Sequence, residues 1–348
     1  MEELVFACVA SQINKVDDLY SLEMSNNEKE KTPFNAQKSL REVHLSTLAG
    51  QSNIYCSCLI PSKDDGSRRA ERILVSTLSK NFRIYSASSN DVEYQEKMYA
   101  YLPQGCEIIS IDLFRDDESD TSAGKNLITG VTWSSAPNSE SISSYFLNTY
   151  ESNLNYDTLT CISSIEFLDW IPFQITHCKL NSSVSFVVSG SDCRIHMFKK
   201  DLSSREYSEL TTSELEADLP EFAQPLDSVA LWVAFQYLQS TRITAIAQEC
   251  GKLLVFIINT DDNSRVVQKH TFGPLDGPLT KVSFFRDSAN LVVVFALVPS
   301  RVFYNVIEHG LEKSSILPLS DEFDVPTCCT LADIVSVLPT LLKENAHF

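Results

Sequence analysis

Along this chain the apolar positions come in short alternating runs divided by polar turns, and the clearest instance lies between Ser185 and Lys199. Phe186, Val187 and Val188 lead into Ser189, Gly190, Ser191 and Asp192, and Ile195, His196, Met197 and Phe198 lead out. Two β-branched or aromatic runs around a turn cluster predict a β-hairpin, with Gly190 expected at a positive φ. The same order of strand, turn and strand recurs at Arg72–Ser86, Arg242–Asn259 and Asn290–Val306, at intervals of roughly 50 to 60 residues. Propeller blades repeat at about 40 to 50 residues, so the pattern predicts an all-β chain folded as a β-propeller with long surface loops.

Further strands are predicted at Ile54–Ile60, Glu107–Phe114, Asn126–Trp133, Ser143–Thr149, Cys161–Leu168, Phe173–Leu180, Ser228–Phe235 and Lys281–Phe285. Many of these carry hydrophobic residues at consecutive positions, as strands sandwiched between neighbouring sheets do. Turns are placed at Ser79-Lys80-Asn81, Glu249-Cys250-Gly251 and Gly273–Pro278. The polar stretch Asp201–Asp227 reads as an irregular loop between blades, with one helical turn over Ser213–Ala217. Only Leu331–Lys343 has an apolar periodicity of helical kind, and Pro339 breaks it. These signals divide the chain into a mobile N-terminal extension (1–44), a propeller (45–334) and a divergent tail (335–348).

Composition narrows the class of function. Of the 348 residues 43% are hydrophobic and 21% charged, which suits a large buried core. The formal net charge of −18 repels phosphate backbones, so nucleic acid is not an expected partner. Glu2 and Glu3 stand where a signal peptide needs positive charge, and no stretch reaches the ~20 apolar residues of a membrane span. The expected setting is therefore cytoplasmic, with the ten cysteines reduced and the Asn181-Ser182-Ser183 sequon unused.

Several residue groups invite chemical readings. Ser189, Asp192 and His196 could suggest a hydrolase, but no G-x-S-x-G elbow surrounds the serine. Asp192 is expected to bind backbone N–H groups within its turn, and His196 to point between blades. Cys56 and Cys58, spaced to share one strand face, read as small buried residues, and Cys328-Cys329 lacks the spacing of a zinc knuckle. Asp64-Asp65-Gly66 reads as a tight turn, and Gly124-Lys125 and Gly251-Lys252 lack the surroundings of a phosphate loop. Trp133, Trp170 and Trp232 are expected in the core rather than at an interface. Lys199-Lys200 and Arg68-Arg69 are basic pairs too small to make an acidic partner's docking site. No catalytic, cofactor-binding or metal-binding residue is assigned.

Glu107–Phe114, Phe146–Leu159, Pro172-Phe173-Gln174 with His177, Ser189–Phe198, Gly277–Phe285 and His309–Thr330 resemble, in order, segments of the kaptin family. The resemblance runs from about Ser52 to Asp333. It implies a WD40/FG-GAP-like propeller, seven-bladed in the family, without catalysis. It further implies a scaffold subunit of the KICSTOR complex, which recruits the GATOR complex to lysosomes and restrains mTOR complex 1 when amino acids or glucose run short. Implied partners are KICSTOR subunits including an FG-GAP-repeat propeller, the GATOR complex and, in an alternative role, actin filaments of cell projections. After Asp333 the chain departs from the family pattern, and its last blade is expected to be incomplete.

Overall fold

The computed structural model describes residues 51–61, 72–87, 92–116, 126–135, 144–167, 169–180, 183–201, 203–261, 265–286, 292–298, 301–306 and 314–318. Their strands fall into five four-stranded antiparallel sheets, and each sheet uses consecutive strands. The first holds β1 (Ser57–Ile60), β2 (Arg72–Ser76), β3 (Asn81–Ala87) and β4 (Val92–Met98), and the second β5 (Glu107–Asp116), β6 (Asn126–Ser134), β7 (Tyr145–Ser152) and β8 (Leu159–Phe167). The third holds β9 (Pro172–Leu180), β10 (Ser183–Gly190), β11 (Ile195–Lys200) and β12 (Tyr207–Glu209). In the fourth lie β13 (Ala230–Leu238), β14 (Thr241–Gln248), β15 (Leu253–Asn259) and β16 (Arg265–Phe272). The fifth holds β17 (Lys281–Arg286), β18 (Val292–Val298), β19 (Arg301–Val306) and β20 (Ser314–Pro318).

The first strand of each sheet lies against the first strand of the next, β1 to β5 to β9 to β13 to β17. Sheets that meander outward from such a series are the blades of a β-propeller. Four apolar clusters occupy the four junctions between successive blades. Leu74, Phe82, Ile108 and Tyr150 join the first to the second; Phe114, Ile128, Phe186 and Phe198 the second to the third. Val187, Met197, Ile246 and Phe256 join the third to the fourth, and Val255, Val282, Val294 and Ala296 the fourth to the fifth. A blade between two others must be apolar on both faces, which explains β6: Leu127 through Trp133 are buried without a break. At about 25 cal/mol per Å² of apolar surface removed from water, these junctions are the main favourable term in folding.

The structure places the predicted hairpins at β2–β3, β10–β11, β14–β15 and β18–β19. It corrects the reading of 201–227 as an irregular loop. That segment carries β12, the outer strand of the third blade, then helix α1 (Thr212–Asp218), which contains the helical turn read from the sequence, and a 3-10 turn (Pro220–Phe222). The Glu214 carboxylate accepts the backbone N–H of Thr211 at 2.8 Å and its hydroxyl at 2.6 Å, which fixes the start of α1. Leu215, Leu219 and Phe222 then close the cluster between the third and fourth blades.

Gly190 is a second correction. It is not among the residues with positive φ; Cys193, at φ 61°, takes that conformation in the turn instead. Gly190 is needed for space: a Cβ there would lie 2.5 Å from Asp192 Oδ1, 3.0 Å from the Trp170 ring and 3.1 Å from His196 Nε2. The proposed extension 1–44, the tail 335–348, the Leu331–Lys343 periodicity and the incomplete last blade fall outside the described residues, and so do Asp64-Asp65-Gly66, Arg68-Arg69, Gly124-Lys125, Asn181-Ser182 and Cys328-Cys329.

Candidate functional site

The innermost strand of a blade hydrogen-bonds to one neighbour only, so along its free edge each buried N–H and C=O needs another partner. Here side chains supply many of them. Between the first and second blades Ile111 N–H donates to the Tyr55 carbonyl at 3.0 Å, and Asn53 Nδ2 donates to the Ile109 carbonyl at 2.9 Å. From the second to the third, Ile175 N–H donates to Ser110 Oγ at 3.1 Å. Between the third and fourth the Gln174 amide takes both backbone groups of Val233: Oε1 accepts its N–H at 2.5 Å and Nε2 donates to its carbonyl at 3.2 Å. Farther along, Lys179 N–H donates to the Tyr237 hydroxyl at 2.7 Å, which in turn donates to Cys178 Sγ at 3.2 Å.

These strands enclose a cavity of about 640 Å³. Tyr55, Phe114, Trp232, Phe235 and Tyr237 give it aromatic walls, and Asp112, Arg115, His177 and Lys179 its charge. The Tyr55 and Trp232 rings approach to 5.6 Å, and the Lys281 ammonium lies 5.0 Å from the centre of the Trp232 ring. His177 Nδ1 donates to Asp112 Oδ2 at 2.7 Å. Burial alone would lower the imidazole pKa, but the Asp112 charge and hydrogen bond outweigh it, and the net effect raises the pKa above the usual 6.5. Burial pushes the Tyr55 phenol up to about 12, so that group is neutral.

The residues singled out in the sequence have structural employment. Ser189 Oγ accepts the Gln174 N–H at 3.1 Å, and among the described residues no hydrogen bond joins Ser189 to His196. His196 instead lies between Glu209 (Nδ1 to Oε1, 2.6 Å) and Asp192 (Nε2 to both oxygens, 3.2 Å). Its ring stacks on Trp170 at 3.8 Å, and Trp170 stacks on Phe167 at 4.1 Å, so His196 does point toward the neighbouring blade. Asp192 accepts the Arg194 N–H at 3.1 Å within its turn, as read from the sequence. Cys56 and Cys58 pack in the cluster between the first and second blades, and burial raises the Cys56 thiol to about 12. Trp133 stacks on Phe146 in the core, and Trp232 packs on the cluster between the fourth and fifth blades as expected while also lining the cavity, which the sequence reading did not give. Lys252 pairs with Asp227, Lys200 with Asp116 at 2.6 Å and Lys199 with Asp218 at 4.0 Å.

One buried pair had no signal in the sequence. Arg242 Nη2 lies 3.1 Å from both oxygens of Glu221, and Thr244 Oγ1 donates to Glu221 Oε1 at 2.8 Å. Both charged side chains are fully enclosed, and they fix the 3-10 turn to the fourth blade.

A family profile described as KICSTOR complex protein kaptin matches residues 40–290 and 286–336. This chain belongs to the kaptin family. Mouse (Mus musculus) kaptin, described as a KICSTOR complex protein, is 28% identical over 266 residues, which cover 69% of this chain and 59% of the mouse protein. The match thus spans less than two thirds of that kaptin's length. Among solved structures, BBS1N in complex with ARL6DN aligns with a TM-score of 0.40 at 11% identity, covering 77% of this chain and 82% of that one. Raptor of Chaetomium thermophilum aligns with a TM-score of 0.42 at 12% identity, covering 72% of this chain and 20% of that one. Likeness at this level carries no weight for function, and the blades described above stand without it.

Proposed function

We propose that this kaptin-family chain is a non-catalytic scaffold subunit of a KICSTOR-type complex. In this reading it helps to recruit the GATOR complex to the lysosomal surface and restrains mTOR complex 1 when amino acids or glucose run short. The observation that carries the reading is the family match across residues 40–336. Two features support it. A rigid series of blades presents many loops and outer strands to partners, and the groups that looked most chemical in the sequence, Ser189, Asp192 and His196, are held in structural hydrogen bonds.

A tagged copy of the chain, captured from cells starved of amino acids and read by mass spectrometry, tests the proposal. Enrichment of KICSTOR and GATOR subunits supports it. Recovery of actin and its regulators without those subunits would favour the cytoskeletal role instead, although Lys199 and Lys200 are both already paired with acids. Hydrolysis of generic esters, phosphates or glycosides, lost on His196→Ala, would make the chain an enzyme and overturn the scaffold reading.

A further inference from the structure

Among the described residues the first blade has a neighbour on one face only. Cys58, Leu74, Phe82 and Ile84 turn toward the second blade and lie in the cluster between the two. Side chains alternate along a strand, so the pairing register puts Leu59, Ile73 and Tyr85 in one row across β1, β2 and β3 on the opposite face. Val75, Arg83 and Glu96 form the next row of that face, and Met98 stands on it at the end of β4. Leu59 is 60% exposed, Ile73 41% and Met98 57%, so three of the eight large hydrophobic side chains exposed among the described residues share one sheet face. Apolar residues scattered singly over a surface are ordinary, whereas a set on one face marks an interaction site.

Two features say what fits there. Every junction between described blades is one apolar sheet face against another, so the shape that matches this face is a second sheet. The two charged strand residues on the face, Arg83 and Glu96, pair with each other at 3.3 Å. A patch without net charge is where two copies of a chain of net charge −18 can meet with no like charges opposed.

We propose that the open face of the first blade is a self-association surface, on which two copies of this chain pack sheet to sheet about a two-fold axis. Leu59, Ile73 and Met98 of each copy are covered by the other. Such a contact uses the same patch twice, so one face of one blade is enough to build it. At ~4.8 Å between strands and ~3.3 Å per residue, the four strands of 4 to 7 residues give a footprint of roughly 300–400 Å². That is about half of what a standard interface buries on each partner, so the dimer is weak and reversible. Apolar burial holds it and the overall negative charge opposes it, so salt, which screens the repulsion, strengthens it.

The test is sedimentation of the full chain from about 1 to about 300 μM, at about 50 mM and about 500 mM salt. The expected result is a reversible monomer–dimer equilibrium, at least about threefold tighter at the higher salt. Leu59→Lys and Ile73→Lys each place like charges across the two-fold axis and should weaken the dimer at least about tenfold. Val267→Lys makes the same change of charge at an exposed position on β16 and should not weaken it. Leu59 and Ile73 are open to water in the single chain, so both variants should fold, which circular dichroism and the urea midpoint check. A chain that stays monomeric throughout, a dimer that loosens as salt is added, or a dimer unchanged in folded Leu59→Lys and Ile73→Lys overturns the proposal. So does a lowered urea midpoint of either variant at concentrations where the chain is monomeric, because the face would then be covered within the chain itself.

Discussion

Gln174 on the third blade substitutes for a missing β-strand: its side-chain amide bonds to both the N–H and the carbonyl of Val233 on the fourth. Both residues are buried, so neither backbone group has water to turn to. Replacing Gln174 by Leu keeps the volume but leaves the two groups unpaired, each costing about 1–3 kcal/mol. The urea midpoint should fall by the equivalent of about 2 kcal/mol or more, with the slope unchanged. A midpoint within error of the parent would show that the clasp contributes nothing.

Arg242 and Glu221 make the second test. Arg242→Met strands a carboxylate in the interior and should cost about 3–5 kcal/mol. Because the penalty comes from the orphaned charge rather than from loss of a favourable bond, Arg242→Met combined with Glu221→Leu should recover most of it. Equilibrium unfolding of the three variants decides the matter, and a double variant as unstable as the single one would refute this account.

Gly190→Ala tests the correction made to its role. A residue required for positive φ would tolerate Asn, whereas a residue required for space tolerates neither Ala nor Asn. With Asp192, Trp170 and His196 within 3.1 Å of where a Cβ would stand, both substitutions should destabilise, by about 1–3 kcal/mol. A stable Asn variant would restore the conformational explanation.

The contact between Asp112 and His177 predicts a pH dependence with a definite sign. A histidine whose folded pKa is raised contributes stability that is fully present below its unfolded value, near 6.5, and is lost as the pH rises through the folded value. Asp112→Asn should therefore lower the thermal midpoint more at about pH 5.5 than at about pH 8.5. Because the imidazole is partly exposed, the difference should be modest. Equal losses at both values would rule out the charged pair as the cause.

The middle strands of each blade were legible because burial on both faces demands apolar runs, as in β6 and β10. Four of the five outer strands, β4, β12, β16 and β20, were not. VEYQEKM, YSE and RVVQKHTF carry little alternation, and YSE and RVVQKHTF reach the clusters through isolated residues only, Tyr207, Val266 and Phe272. Residues of the cavity were hidden for a different reason. Asp112, His177 and Trp232 belong to three different blades and Tyr55 to the turn before β1, and each alone is an ordinary residue of its segment. Gln174 and His177 did stand within a segment quoted for the family resemblance, but a string of letters does not say what an amide or an imidazole faces. Gly190 shows the complementary error: the turn was read correctly, and the reason for its glycine came from a ring and a carboxylate that only the fold brings there.

The four apolar clusters between blades also set where this molecule can change. β16 bonds to one strand only, and Val267 and Gln268 on it are exposed and belong to none of those clusters, so substitutions at these two positions leave the clusters untouched. Such surface changes usually alter stability by less than about 0.5 kcal/mol. A lineage can therefore redraw what the rim of this disc recognises, one residue at a time, while its interior stays under a separate and much stricter selection.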